Sequence, residues 1–193
     1  MERYAIDLFD GHCDAVFLRY LSGGGLRRND GHVDLERMGK YRRCAQFFAL
    51  FGEPEPTPVR DLSGKTHREL FLEEYALFER EMAANADLAA FCRTGAEAEA
   101  AFRSGRRAAF LSVEGAELLD CSLERLEEAK KRGLYNLTST ADALPVYTAP
   151  KNVELFVKHG IYTKEEIEAR AEIHIENYTT VLTCLLYTSD AAD

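Results

Sequence analysis

With 193 residues, 46% hydrophobic and 30% charged, the chain has the profile of a soluble globular protein large enough for one real core. Its formal net charge of -9 argues against a nucleic-acid partner, because phosphate binding is driven by Lys and Arg. No apolar run approaches the roughly 20 residues of a membrane-spanning helix, and residues 1–7 lack an apolar leader core, so no membrane partner is expected and the expected location is the cytoplasm.

The first element, residues 4–9, is short and apolar and reads as a buried strand. It runs into Asp10-Gly11-His12-Cys13-Asp14. The run Gly23-Gly24-Gly25 lacks the Lys-Ser/Thr of a phosphate loop and reads as a surface loop. Residues 44–51 are almost continuously apolar, as expected of a strand covered on both faces. Pro54, Pro56 and Pro58 then forbid regular structure. A long helix is predicted from about Thr66 to Phe91, with Leu70, Phe71, Tyr75, Phe78 and Met82 at spacings of three and four. A short helix near 96–102 leads into a strand over 108–113, which ends at Glu114-Gly115. Another helix starts near Ser122, a plausible N-cap, and reaches Gly133.

From Ala141 the texture changes. Pro145 and Pro150 bracket a loop, and two helices are predicted, 152–159 and from Thr163 to about Thr183. Thr163 with Glu166 three residues on reads as a capping box. The five cysteines, Cys13, Cys44, Cys92, Cys121 and Cys184, are irregularly spaced and odd in number. They read as reduced thiols, mostly core fillers.

The alternation of strand and helix over the first two-thirds implies parallel strands with helices packed outside. In such folds the chemistry sits at the C-terminal strand ends, where residues 10–14 and Glu114 fall. His12 and Asp14 are two apart, so on an extended segment they point the same way. An imidazole and a carboxylate converging on one point suit a divalent metal such as zinc. Glu114 is the candidate third ligand. Taken alone the spacing is a weak signal, since a single His-x-Asp occurs often by chance and a hydrogen-bonded His-Asp pair in a loop accounts for it. His32-Val33-Asp34 has the same spacing, but it follows a polar turn and reads as surface structure.

Taken in order, Asp10-Gly11-His12-Cys13-Asp14, His32-Val33-Asp34-Leu35-Glu36-Arg37, Ala45-Gln46-Phe47-Phe48-Ala49, Ser112-Val113-Glu114-Gly115 and Ser122-Leu123-Glu124-Arg125-Leu126 resemble the renal (membrane) dipeptidase family, the M19-type metallopeptidases. The resemblance covers residues 1–127. It implies an α/β fold, the N-terminal part of a TIM-barrel-like (β/α)8 metallo-hydrolase. It implies a two-zinc site that cleaves dipeptides, often tolerating a D-residue at the C-terminal position, in proteins that are often homodimers. His12 and Asp14 would hold one zinc. Glu114 would bridge both and is the one residue given a catalytic role.

Further on, this family carries a substrate-binding histidine, and later strands supply two more histidine ligands. Residues 134–140 here contain no histidine, and His159 and His174 read as ordinary helical histidines. The second zinc position is therefore incomplete, and the chain as given is expected to be inactive. Residues 128–183 instead resemble the C-terminal helical region of type III glutamine synthetases, through Lys131-Arg132-Gly133-Leu134-Tyr135-Asn136-Leu137, Asp142-Ala143-Leu144-Pro145, Lys158-His159-Gly160 and Glu176-Asn177-Tyr178. That resemblance implies a chimera with a helical segment over 128–183. Residues 184–193 resemble an in-frame translation of a transposase sequencing adapter and are read as an artefactual tail. Two alternatives stand beside the dipeptidase reading: a different metal-dependent, amidohydrolase-like barrel, and a non-catalytic helical or oligomerisation fragment of a type III glutamine synthetase.

Overall fold

The computed structural model describes residues 4–138 and, beyond them, Glu154, Val157, Lys158 and residues 163–165. Five strands form one parallel sheet: β1 Tyr4–Asp10, β2 Tyr41–Leu50, β3 Ala89–Phe91, β4 Arg107–Glu114 and β5 Leu134–Thr138. The spatial order is β1-β2-β4, with β3 and β5 both paired to β4. The short β3 lies beside the start of β4, at Arg107 to Ala109, and β5 lies beside its end, at Leu111 to Glu114. Helices α1 Ala15–Ser22, α2 Leu35–Met38, α3 His67–Ala84, α4 Gly95–Arg103 and α5 Leu123–Lys131 fill the connections. The expected α/β class is observed.

The two sheet faces follow from strand alternation. Cys44, Phe48 and Leu50 of β2 and Ala109, Leu111 and Val113 of β4 pack with Val16 of α1, Ala129 of α5 and Leu70, Phe71, Tyr75 and Phe78 of α3. The opposite face carries Ala45, Phe47, Ala108 and Phe110, with Ala98 and Ala101 of α4 against it. Small residues on both sides let α4 approach the sheet closely. Above them Phe47 stacks on Phe110 at 4.8 Å, and Tyr135 meets both rings edge-on. With both faces covered, residues 44–50 are all buried, as their continuous apolar run requires.

Three expectations are corrected. The first strand is not buried: along β1, Tyr4, Ile6 and Phe9 are 46%, 59% and 71% exposed. One edge of β1 pairs with β2, and among the described residues no strand pairs with the other. The long helix stops at Ala84 rather than Phe91. Asn85 ends it, returning both its backbone N–H and its side-chain amide to the Glu81 carbonyl, and Ala89–Phe91 forms β3. Within 128–183, read as helical, residues 134–138 are strand β5. Gly133 makes that entry possible: its φ is +100°, and a Cβ there would lie 2.6 Å from the Phe91 ring.

The start of α3 carries a full capping box between Thr66 and Glu69. The capping box expected at Thr163 includes Glu166, which lies outside the described residues. Glu154, Val157 and Lys158, within the helix expected over 152–159, are helical. Cys13, Cys44 and Cys92 are buried free thiols and Cys121 is half-buried, while Cys184 lies outside the described residues. Among the described residues no helix is long and apolar enough to cross a membrane.

Candidate metal centre

The end of β1 and the start of α1 set the first two side chains. The Cys13 carbonyl accepts a hydrogen bond from the Ala49 N–H near the end of β2, which ties this loop to the sheet. The Cys13 side chain turns into the core, where burial pushes its thiol up to about 12. Its neighbours His12 and Asp14 face the other way and are exposed, as residues two apart on extended chain should be. Asp14 is the N-cap of α1, yet its side chain makes no cap hydrogen bond. Aspartate at that position ordinarily accepts from the first helical turn. Here Asp14 Oδ1 lies 3.1 Å from His12 Nε2 instead.

Glu114 closes β4, on the same sheet face as Phe110 and Ser112 by alternation. Its Oε2 lies 3.0 Å from His12 Nε2. The chain leaves the strand at once through Gly115, at φ +85°, where a Cβ would come within 2.8 Å of Glu117 Oε2. His12, Asp14 and Glu114 are thus brought together: one potential ligand atom from each, all within 4.8 Å of one another. Among the described residues this is the group of three such side chains placed to hold an ion.

The donor set is one imidazole nitrogen and two carboxylate oxygens, which fits zinc. The side chains remain 39%, 48% and 31% exposed, so the cluster opens to solvent. The Nε2 of His12 sits between carboxylate oxygens of Asp14 and Glu114.

The second His-x-Asp motif behaves differently. His32 is exposed, whereas Asp34 is buried, a correction to its reading as surface structure. Asp34 caps α2 by accepting from the Arg37 N–H and pairs with the Arg37 guanidinium at 2.6 Å. Its role is to fix a short helix. Sequence reasoning passed over Glu74 of α3, a carboxyl buried at 0% exposure. The signal was available: it interrupts the apolar side of α3, directly before Tyr75. His159 and His174 lie outside the described residues.

A family model described as membrane dipeptidase (peptidase family M19) matches residues 3–149, and one described as glutamine synthetase C-terminal domain matches residues 121–185. A solved dipeptidase, described as a metallo peptidase of family M19, is 25% identical with a TM-score of 0.51, over 69% of this chain and 42% of that one. A metallo peptidase from Rhodobacter sphaeroides, liganded with a phosphinate mimic of the dipeptide L-Ala-D-Ala, is 22% identical with a TM-score of 0.50, over 69% of this chain and 45% of that one. A glutamine synthetase of Butyrivibrio fibrisolvens is 50% identical over 56 residues, which are 29% of this chain and 8% of that protein. The chain therefore spans less than half of either solved peptidase and under a tenth of the synthetase.

Proposed function

We propose, for a chain that belongs to the membrane dipeptidase family, peptidase family M19, that its α/β part is the N-terminal portion of a zinc-dependent, dipeptide-hydrolysing site. The observation that carries this reading is the convergence of His12, Asp14 and Glu114 at the C-terminal ends of β1 and β4. His12 and Asp14 would hold one ion, and Glu114 would reach toward it and toward a second. A bound divalent ion would supply Lewis acidity toward a peptide carbonyl. The chain's own part is to orient the ligands: the sheet fixes Glu114, the Ala49–Cys13 hydrogen bond fixes the loop, and solvent exposure leaves an approach for a dipeptide.

A site with three protein side chains holds one ion better than two. We therefore expect this chain to bind zinc and to leave dipeptides such as L-Ala-D-Ala intact. The test is hydrolysis of that dipeptide in the presence of zinc, with Glu114→Gln as the control. Turnover at the level of the control agrees with the reading. Turnover that Glu114→Gln abolishes would show that the chain is itself a working enzyme.

A second reading rests on the 50% identity to a glutamine synthetase over 56 residues. It makes the C-terminal third a non-catalytic helical or oligomerisation segment. The two family matches overlap over residues 121–149, and the zinc-binding part of the first reading, which uses His12, Asp14 and Glu114, does not depend on the second.

A further inference from the structure

Glu74 is fully buried on α3, and its Oε1 has no hydrogen-bond partner. Its Oε2 accepts from the Phe51 N–H at 3.3 Å. Gly52, the next residue, is packed between the Glu74 carboxyl, Leu70 and the Phe17 ring; a Cβ there would lie 3.4–3.5 Å from all three. A leucine would fill this place on α3 without burying a polar group. A carboxyl kept in an apolar setting marks a position where local packing has given way to another requirement.

That requirement leads to the ligand loop. Phe51 meets Phe17 edge-on at 5.2 Å. Phe17 belongs to the first turn of α1, whose N-cap is Asp14. Just upstream of Phe51, the Ala49 N–H holds the Cys13 carbonyl. The residues 49–52 are therefore one brace behind Asp14, and the Glu74 carboxyl is the hydrogen-bond acceptor that α3 contributes to it.

We propose that Glu74 is a positioning residue for the metal centre, holding the Phe51–Gly52 turn so that α1 presents Asp14 toward His12 and Glu114. The inference deepens the metal-site reading and rests on it. Burial raises the Glu74 carboxyl well above its ordinary range, the Phe51 hydrogen bond opposes that, and the negative charge of Asp14 adds to it. The shift favours the protonated, uncharged form of the group. Glutamine reproduces both its shape and its acceptor, whereas leucine keeps the bulk and loses the acceptor.

The experiment compares Glu74→Gln and Glu74→Leu with the parent chain in two readouts: the ring resonances of His12 in metal-free protein, and zinc affinity by titration calorimetry. The expected result is that Glu74→Gln matches the parent in both. Glu74→Leu, folded by circular dichroism, shifts the His12 resonances and weakens zinc binding at least about tenfold, the scale of a lost supporting contact. Unchanged His12 resonances in a folded Glu74→Leu variant overturn the proposal. So does equal damage from both substitutions. Failure of Glu74→Leu and of Glu74→Met to fold also overturns it, by making Glu74 a general stability residue. If the parent binds no zinc, the metal reading fails, and the His12 resonances still decide the positioning role.

Discussion

His12 Nε2 and Glu114 Oε2 lie 3.0 Å apart, although one follows the first strand and the other ends the fourth. The parallel sheet creates that meeting. β2 lies between β1 and β4, and the loop after β1 bends across its end, anchored by the Ala49–Cys13 hydrogen bond. The local His12-x-Asp14 spacing brings two of the three side chains together, and the sheet order brings Glu114 to them.

The sheet depends on its two-sided core. Phe48 is fully buried and packs its ring 5.7 Å from that of Phe78. Phe48→Ala is expected to lower stability by about 3–5 kcal/mol, a large share of the roughly 5–15 kcal/mol that holds an ordinary domain together. Urea denaturation followed by circular dichroism checks this. A midpoint unchanged from the parent would mean that β2 is not packed as described.

Asp7 on β1 is bonded through both carboxylate oxygens to the guanidinium groups of Arg42 and Arg43. These contacts, Arg42 first, hold its carboxyl well below the usual carboxylate range. A depressed acid stabilises the fold above the unfolded-state value, about 3.9 for Asp, and that contribution is lost as pH falls below it. Asp7→Asn is therefore expected to lower Tm at neutral pH, with the gap to the parent closing under strong acid. A gap that is constant across pH would remove the ion pairs from the account.

Glu74 runs the other way. Its raised carboxyl keeps a proton in the folded state that the unfolded chain releases above about 4.3. Stability from this group is full below that value and falls as pH rises. Glu74→Gln is expected to gain on the parent as pH rises above that value in thermal melts. A loss at neutral pH would show that the carboxylate itself is needed.

The sequence made part of this legible. β2 and β4 announced themselves as continuous apolar runs because both their faces are covered. β3 was hidden because Ala89-Ala90-Phe91 continues the helical spacing of α3, and only the Asn85 cap ends that helix. The exposure of β1 could not be read at all: the residue pattern records what a strand is suited to pack against, not what is present to cover it. The polar turn before His32 set that motif apart from the ligand pair, but the burial of Asp34 became visible only with its pairing to the Arg37 N–H and side chain. Glu114 was a candidate by its place at a strand end, but its distance to His12 depends on register.

The apolar side chains of β1 carry a practical consequence. Ile6 is 59% exposed on a strand whose outer edge has no partner among the described residues, and such edges pair with other chains. The protein is expected to associate when expressed, and Ile6→Lys to raise the soluble, monodisperse fraction in size-exclusion chromatography. A parent chain that already runs as a clean monomer would contradict this.

Calorimetric titration of the metal-free chain with zinc decides whether His12, Asp14 and Glu114 hold a metal ion. Saturable binding is expected at neutral pH. Affinity should weaken on acidification as the ligands take up protons, and fall at least about tenfold in Glu114→Gln and in His12→Ala. Zinc binding that is absent, or equally tight in both variants, would contradict the metal-centre reading.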